Sequence, residues 1–332
     1  MNGRERVAAA YRFQAPDRVP VQYYYAPVGY YEHGEKLNEL FSRYQGDFEP
    51  FKRRPIPAPP PDCFDAEGRY CEVRRDAWGT VWKHRIFGVW GFEIEYPLQD
   101  YALLEQYKFP PLPSYAAEQK HPQTYFCMRG ALGLFEKLIS LRPFEDVLCD
   151  MAGEDRNFLI LLDRLTEYAR QQIAALIRLG VDAISFGDDF GTQTGLIFSR
   201  DMFRKYFKPR YEALMRPIRE AGIKVHFHSC GKVDALLEDF REMGVDSIWP
   251  QLPAYDMRWL ADCCRDLGLA VAIHTDRANT MTHGTPAQVR ALVRKEYEIF
   301  RPDRGGSWFY VEADNGFPFA NIEALAEEIY RL

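Results

Sequence analysis

Two hydrophobic periods take turns along this chain. Over residues 158–179 the apolar positions fall at 158, 161, 162, 165, 169, 173 and 176, which is the spacing of one buried helix face, and Gly180 stands where a cap would end it. A short apolar run at 182–186 follows and reads as a strand. Ser199 can cap the next helix, Pro209 breaks or restarts it, and Gly222 ends it. Residues 224–228 form the next strand. Val233, Leu236, Leu237, Phe240 and Met243 return to helical spacing before Gly244. Residues 247–249 are a strand. Met257, Leu260, Cys264 and Leu267 make a helix face closed by Gly268, and 269–273 is a strand. Thr285-Pro286 opens a helix with Val289, Leu292, Val293 and Phe300 inward. A strand at 308–311 and a last helix capped by Asn321 complete the series.

Strands separated by helices predict an α/β fold with a parallel sheet. Residues 19–23 and 124–128 add two strands upstream and bring the count to seven. An eighth would be irregular or hidden. The first expectation is a (β/α)8 TIM barrel and the second a doubly wound open sheet. Residues 1–332 read as one domain. The stretch 26–109 breaks the rhythm. Its proline-rich segment 54–61 is a stiff connector, and 78–82 with 90–94 predict a β-hairpin, so the stretch reads as an amino-terminal insertion that serves as a lid.

The composition, 47% hydrophobic and 27% charged in 332 residues, is that of a globular protein. A net charge of −6 without any basic block argues against nucleic acid as a partner. No apolar run is long enough to span a membrane, and the first residues do not read as a signal peptide. Seven scattered cysteines argue against a disulfide framework and predict a cytoplasmic protein.

In a barrel of this type the site lies at the carboxyl ends of the strands. Here those ends carry polar groups after apolar interiors: Tyr23 to Tyr25, Asp188-Asp189 with Gln193, His228 with Cys230, Gln251, His274 with Asp276 and Arg277, and Glu312 with Asp314. On a strand, residues i and i+2 share a face, so His228 and Cys230 can aim imidazole and thiolate at one point. Zinc favours both ligand types, and a catalytic zinc takes three protein ligands. Asp314 or Glu312 is expected to supply the third. His226 lies lower on the same face and is expected behind the ligands. Asp188, Asp189 and Asp276 are the expected acid–base or orienting groups, and Tyr23, Tyr25, Gln193, Gln251 and His274 the expected substrate contacts. Each has a plainer reading. Asp188 and Asp189 can cap a turn, His274 and Asp276 can close loop hydrogen bonds, and Asp314-Asn315-Gly316 is a turn signal. Cys263 and Cys264 read as structural.

Several segments together resemble the uroporphyrinogen decarboxylase superfamily over nearly the whole chain: Glu5-Arg6-Val7 with Pro16-Asp17-Arg18-Val19-Pro20, Asp76-Ala77-Trp78-Gly79, Gly187-Asp188-Asp189-Phe190-Gly191-Thr192-Gln193, Phe207-Lys208-Pro209-Arg210, His228-Ser229-Cys230-Gly231 and Gly284-Thr285-Pro286. The resemblance implies a distorted (β/α)8 barrel. True uroporphyrinogen decarboxylases carry an amino-terminal arginine motif for the porphyrinogen carboxylates. This chain has Tyr23-Tyr24-Tyr25 there, and it has the His-x-Cys pair that they lack. It is therefore more similar to the branch of zinc methyltransferases that move methyl groups between a corrinoid protein and a thiol. In that branch a later cysteine completes the zinc site, but no cysteine follows Cys264 here, and Asp314 takes the place. The resemblance thus implies a methyltransferase with zinc and a corrinoid carried on a partner protein, acting on a small methylated compound. A metal-assisted decarboxylase or lyase, with Arg277 and Arg129 as basic groups, and a non-catalytic corrinoid- or metabolite-binding protein are the alternatives. A homodimer is the assembly entertained.

Overall fold

The computed structural model describes residues 1–115 and 123–332. The chain opens with α1 (Gly3–Tyr11), β1 (Val21–Tyr24), α2 (Pro27–His33) and α3 (Glu35–Arg43). The strands β2 (Glu72–Arg75), β3 (Val81–His84), β4 (Phe92–Glu95) and β5 (Met128–Gly130) follow, then α4 (Leu134–Leu141), α5 (Phe144–Gly153) and α6 (Arg156–Leu179). Next come β6 (Ala183–Gly187), α7 (Arg200–Met202), α8 (Lys208–Glu220), β7 (Lys224–Ser229), α9 (Leu237–Met243) and β8 (Ser247–Pro250). The last elements are α10 (Met257–Leu267), β9 (Ala270–His274), α11 (Pro286–Phe300), β10 (Ser307–Glu312) and α12 (Phe319–Arg331).

Seven parallel strands form one sheet in the order β1-β10-β9-β8-β7-β6-β5, wrapped by helices in a TIM-like arrangement. The expected alternation of strand and helix is present. The eighth position is irregular. Between β1 and β5 lies Asp47, whose N–H donates to the Val21 carbonyl at 2.8 Å and whose carbonyl accepts from Phe126 N at 3.0 Å. Its buried carboxylate also accepts from Arg6, Arg18 and the Val21 N–H. One residue thus links both edges of the sheet.

Alternation along the strands sorts their side chains between two cores. Ile184, Phe186, Val225, Phe227, Val271, Ile273, Phe309 and Val311 face the helices. Ala183, Ala270, Ala272, Trp308 and Tyr310 share a separate inner cluster with Val7, Ala10 and Tyr11 of α1. Helix α1 therefore plugs the amino end of the sheet, with the Tyr11 hydroxyl 2.9 Å from Ser247 Oγ on β8. Its start is set by Asn2, whose side chain accepts from Glu5 N while Glu5 accepts from Asn2 N. Asp155 and Gly180 cap the long α6 at its two ends, the glycine at φ +76°.

The insertion differs from expectation. Its first part is helical, as α2 and α3, and the expected hairpin is a three-stranded antiparallel sheet, β2-β3-β4. Strand β2 reads Glu-Val-Arg-Arg and is largely exposed, so it lacks the apolar alternation that marks a strand in sequence. Thr80 Oγ1 donates to the Ser140 carbonyl at 2.7 Å and ties this sheet to α4. Among the described residues no helix is long and apolar enough to cross a membrane.

Candidate functional site

Three chemically different side chains converge at the carboxyl ends of β6 and β7. The ligand atoms of Asp189, His228 and Cys230 all lie within 4.8 Å of one another. His228 Nε2 is 3.4 Å from Cys230 Sγ and 3.5 Å from Asp189 Oδ1. The arrangement follows from the sheet. β6 and β7 are neighbours with Gly187 opposite His228, so the loop leaving β6 must pass the end of β7.

Backbone contacts hold that loop. Asp188 N donates to the His228 carbonyl at 3.1 Å, Phe190 N to Ser229 Oγ at 3.0 Å and Lys232 N to the Thr192 carbonyl at 2.7 Å. Gly231 makes the close approach possible. It sits at φ +71°, and a Cβ there would meet the Gly191 carbonyl carbon at 2.2 Å. The glycines in the two loop segments therefore serve one packing contact.

His228 is oriented by what lies behind it. Its Nδ1 is 2.8 Å from the Trp249 carbonyl, which can only accept, so Nδ1 carries the proton and Nε2 presents its lone pair to Cys230 and Asp189. The Trp249 ring packs against the imidazole with centroids 4.0 Å apart. Burial holds His228 below its ordinary pKa, against the pull of Asp189, so the ring is neutral as a metal ligand requires. Cys230 N donates to Asp189 Oδ1 at 2.7 Å and fixes the carboxylate beside the thiol. Burial, followed by the Asp189 charge, pushes the Cys230 thiol up to about 12. A partly buried imidazole nitrogen, a sulfur and a carboxylate oxygen form a donor set suited to zinc, and a cation would relieve the crowding of thiolate and carboxylate.

The other expected site residues have different places. Asp314 Oδ2 accepts from Arg277 Nη2 in an ion pair, and Glu312 lies 3.8 Å from Arg277 Nε. Neither belongs to the group of three, because β8 and β9 stand between β10 and β7 in the sheet. Burial raises the Glu312 carboxyl to about 7.

Asp188, expected to act on substrate, follows the outward parity of Phe186 and is 0% exposed. Its oxygens accept from Phe135 N, Glu136 N and the Tyr211 hydroxyl, so it anchors the start of α4. Asp276, also expected to act on substrate, accepts from the N–H groups of Ala278, Asn279 and Thr280 and caps the helical turn at 277–281. Tyr23 and Tyr25, expected at the substrate, pack on Phe41 of α3, and Tyr25 also takes Arg54 over its ring at 4.1 Å. Strand parity turns Tyr23 outward.

Gln251 Oε1 accepts from Gly231 N at 2.8 Å, with Gln193 Nε2 3.4 Å away, so both amides flank the loop contact. His274 Nδ1 accepts from the Trp249 indole N–H at 3.2 Å, and its Nε2 is 3.8 Å from Glu312. Burial lowers His274 to about 3. His226 is buried, with Nδ1 2.8 Å from Ser247 Oγ.

Two residues near the site escaped sequence reasoning. Trp249 contacts both His228 and His274, yet in sequence it reads as an ordinary apolar strand residue. Glu136, at the start of α4, donates its backbone N–H to Asp188 Oδ1 at 2.8 Å, and its carboxyl lies near both Asp188 and Asp189. Loss of hydration, with Asp188 and Asp189 nearby, lifts it to about 8. Neither carries a local signal, because each reaches the site only through sheet order and helix packing.

Comparison with solved structures finds a methyltransferase from Methanosarcina mazei with a TM-score of 0.68 at 15% identity, covering 100% of this chain and 99% of that one. The likeness is one of fold. A B12-independent methionine synthase from Shewanella sp. W3-18-1 matches at a TM-score of 0.42 and 13% identity, over 80% of this chain and 76% of that one. No curated protein matches the sequence. The family model for uroporphyrinogen decarboxylase (URO-D) matches residues 127–299, which span β6, β7 and the candidate site, and the chain belongs to that family.

Proposed function

We propose that this protein is a zinc-dependent methyltransferase that moves a methyl group between a small methylated compound, a corrinoid carried on a partner protein and a thiol acceptor. The observation that carries the reading is the convergence of Asp189, His228 and Cys230 with the His228 proton pinned on Nδ1. His228 Nε2, Cys230 Sγ and one Asp189 oxygen would hold the metal. This assignment keeps the expected pair and puts Asp189 in place of Asp314 or Glu312 as third ligand. Zinc bound there would supply Lewis acidity that lowers the pKa of a substrate thiol.

The remaining steps belong to the chain's own groups. The Trp249 carbonyl and ring hold the His228 imidazole in one orientation. The Cys230 N–H holds the Asp189 carboxylate next to the thiol. Arg277, which carries Asp314 and Glu312, sets a positive charge close enough to Cys230 to favour its thiolate. Tyr24, half-exposed at the end of β1, lies near Glu312 and Asp314 and would contact the methylated compound. The insertion carrying β2, β3 and β4 would cover the bound substrate.

Metal analysis of the purified protein tests the reading. About one zinc per chain is expected. His228→Ala, Cys230→Ser and Asp189→Ala each lower metal affinity by tenfold or more, on the order of the loss of a ligand. Asp314→Asn and Glu312→Gln keep the metal. A metal-free wild type, or a His228→Ala variant with unchanged zinc, overturns the reading. Assaying methyl transfer against carbon dioxide release then separates a methyltransferase from a decarboxylase.

A further inference from the structure

Two of the seven cysteines face each other in the insertion, away from the strand ends that form the candidate site. Phe64 and Tyr70 form an antiparallel bridge, and the flanking hydrogen bonds are Cys71 N to the Cys63 carbonyl and Asp65 N to the Arg69 carbonyl, each 2.9 Å. This pattern makes Phe64 and Tyr70 the pair between hydrogen bonds. Cys63 and Cys71 are joined by that single bond, Cys63 N donating instead to the Pro60 carbonyl at 3.1 Å, so they stand opposite each other at the open end of the ribbon. Opposed residues of an antiparallel ribbon have Cα atoms about 4.5–5.5 Å apart and side chains on one face. That separation lies within the range a disulfide spans, and the Cys71 thiol lies near enough to Cys63 to act on its charge. Both thiols are free and partly exposed. The remaining cysteines offer no such pairing: Cys127 and Cys264 are buried, Cys149 is on α5, Cys263 adjoins Cys264 on α10, and Cys230 is in the candidate site.

We propose that Cys63 and Cys71 are a thiol modification site that closes to a reversible disulfide when the protein meets a small-molecule disulfide. The exchange has two steps. The Cys71 thiolate attacks one sulfur of the oxidant, whose S–S bond breaks and releases one small thiolate. The Cys63 thiol then gives its proton to solvent and attacks the Cys71 sulfur of the mixed disulfide, releasing the second small thiolate. The two protein thiols lose two electrons and two protons, and the oxidant becomes two thiols. Partial desolvation, with Asp62 and Glu72 nearby, raises the Cys63 thiol above its ordinary value, so closure speeds up as pH rises.

The bond would clamp the turn around Gly68 and the entry to β2. Tyr70, inside the clamped segment, packs on Phe87 with centroids 5.6 Å apart, and Phe87 packs on Tyr31 of α2 at 5.2 Å. Oxidation would thus stiffen the edge of the insertion where it packs on α2.

The test uses the full chain and oxidised glutathione, at neutral and at mildly alkaline pH. Free thiols are then alkylated, and the protein is digested with trypsin without reduction. Arg69 lies between the two cysteines, so trypsin separates them unless the bond holds them together. The expected product is a joined pair of peptides whose mass is two hydrogens below the sum, formed faster at the higher pH and lost on reduction. Cys63→Ser and Cys71→Ser each abolish it and leave the remaining thiol as a glutathione adduct. If both cysteines are recovered separately, alkylated or each carrying glutathione, the proposal is overturned. The wild-type digest decides the matter even if a serine variant fails to fold.

Discussion

Glu296 on α11 shows how one side chain ties the stability of this protein to pH. It is buried, and its carboxylate accepts from the Thr275 hydroxyl at 2.7 Å, just beyond the end of β9. Burial raises its carboxyl from 4.5 to about 8, against the Thr275 hydrogen bond. Between those values the folded chain binds a proton at Glu296 that the unfolded chain has lost. The stabilisation it contributes is complete below 4.5 and disappears as pH rises through about 8. Thermal unfolding followed across this window is expected to show a shallower fall in Tm for Glu296→Gln than for the wild type. Equal slopes in the two proteins would mean that Glu296 is ionised in the folded chain. Asp188, Glu136 and Glu312 are raised toward the same window, which is why the comparison must be with the single variant. At this scale the sequence was legible where the rule was local. His228 and Cys230 share a face because two residues along a strand always do. The same rule, applied from Phe186 to Asp188 and from Ile273 to Thr275, turns the latter two outward, so the helix-facing role of Asp188 was also within reach of the sequence.

At the scale of elements, the loops after β6 and β7 act as one unit, with Gly191 and Gly231 back to back. Gly231→Ala adds a Cβ against the Gly191 carbonyl at a positive φ. It is expected to destabilise the protein by about 2 kcal/mol or more and to loosen the spacing of Asp189 from His228. A urea melt measures the first effect, and zinc retention on dialysis measures the second. An unchanged midpoint would show that the loops can part without penalty. The strands β6 to β10 were readable because buried parallel strands are short apolar runs between helical stretches. Strand β2 was not, because its four residues are mostly charged and exposed, and only pairing with β3 makes them a strand. The helices α2 and α3 lie in an aromatic-rich stretch where the hairpin signals dominated the reading.

Across the whole molecule, Asp47 decides how the two edges of the sheet meet. Its backbone links β1 to the segment before β5, and its carboxylate is shared by Arg6 of α1 and Arg18. Asp47→Ala leaves Arg6 its pair with Asp17 but removes the buried acceptor of Arg6 Nη1, Arg18 and the Val21 N–H, and a loss of about 1–3 kcal/mol is expected, the cost of buried donors left unsatisfied. Chemical denaturation reads that loss, and a change under 1 kcal/mol would mean that the backbone link alone holds the edges together. No local pattern announced this role, since Asp47 lies in an irregular segment and its partners come from α1, β1 and the approach to β5. The same distinction governs the candidate site. The alternation of strand and helix, the capped ends of α6 and the shared face of His228 and Cys230 follow from short-range periodicity, and the sequence by itself determined them. The third member of the group did not follow. Asp314 and Asp189 both stand just beyond strand ends, but only the sheet order, with β6 beside β7 and two strands between β7 and β10, brings Asp189 to His228 and leaves Asp314 with Arg277. Strand order is set by packing between segments far apart in the chain, so the tertiary structure alone could decide it.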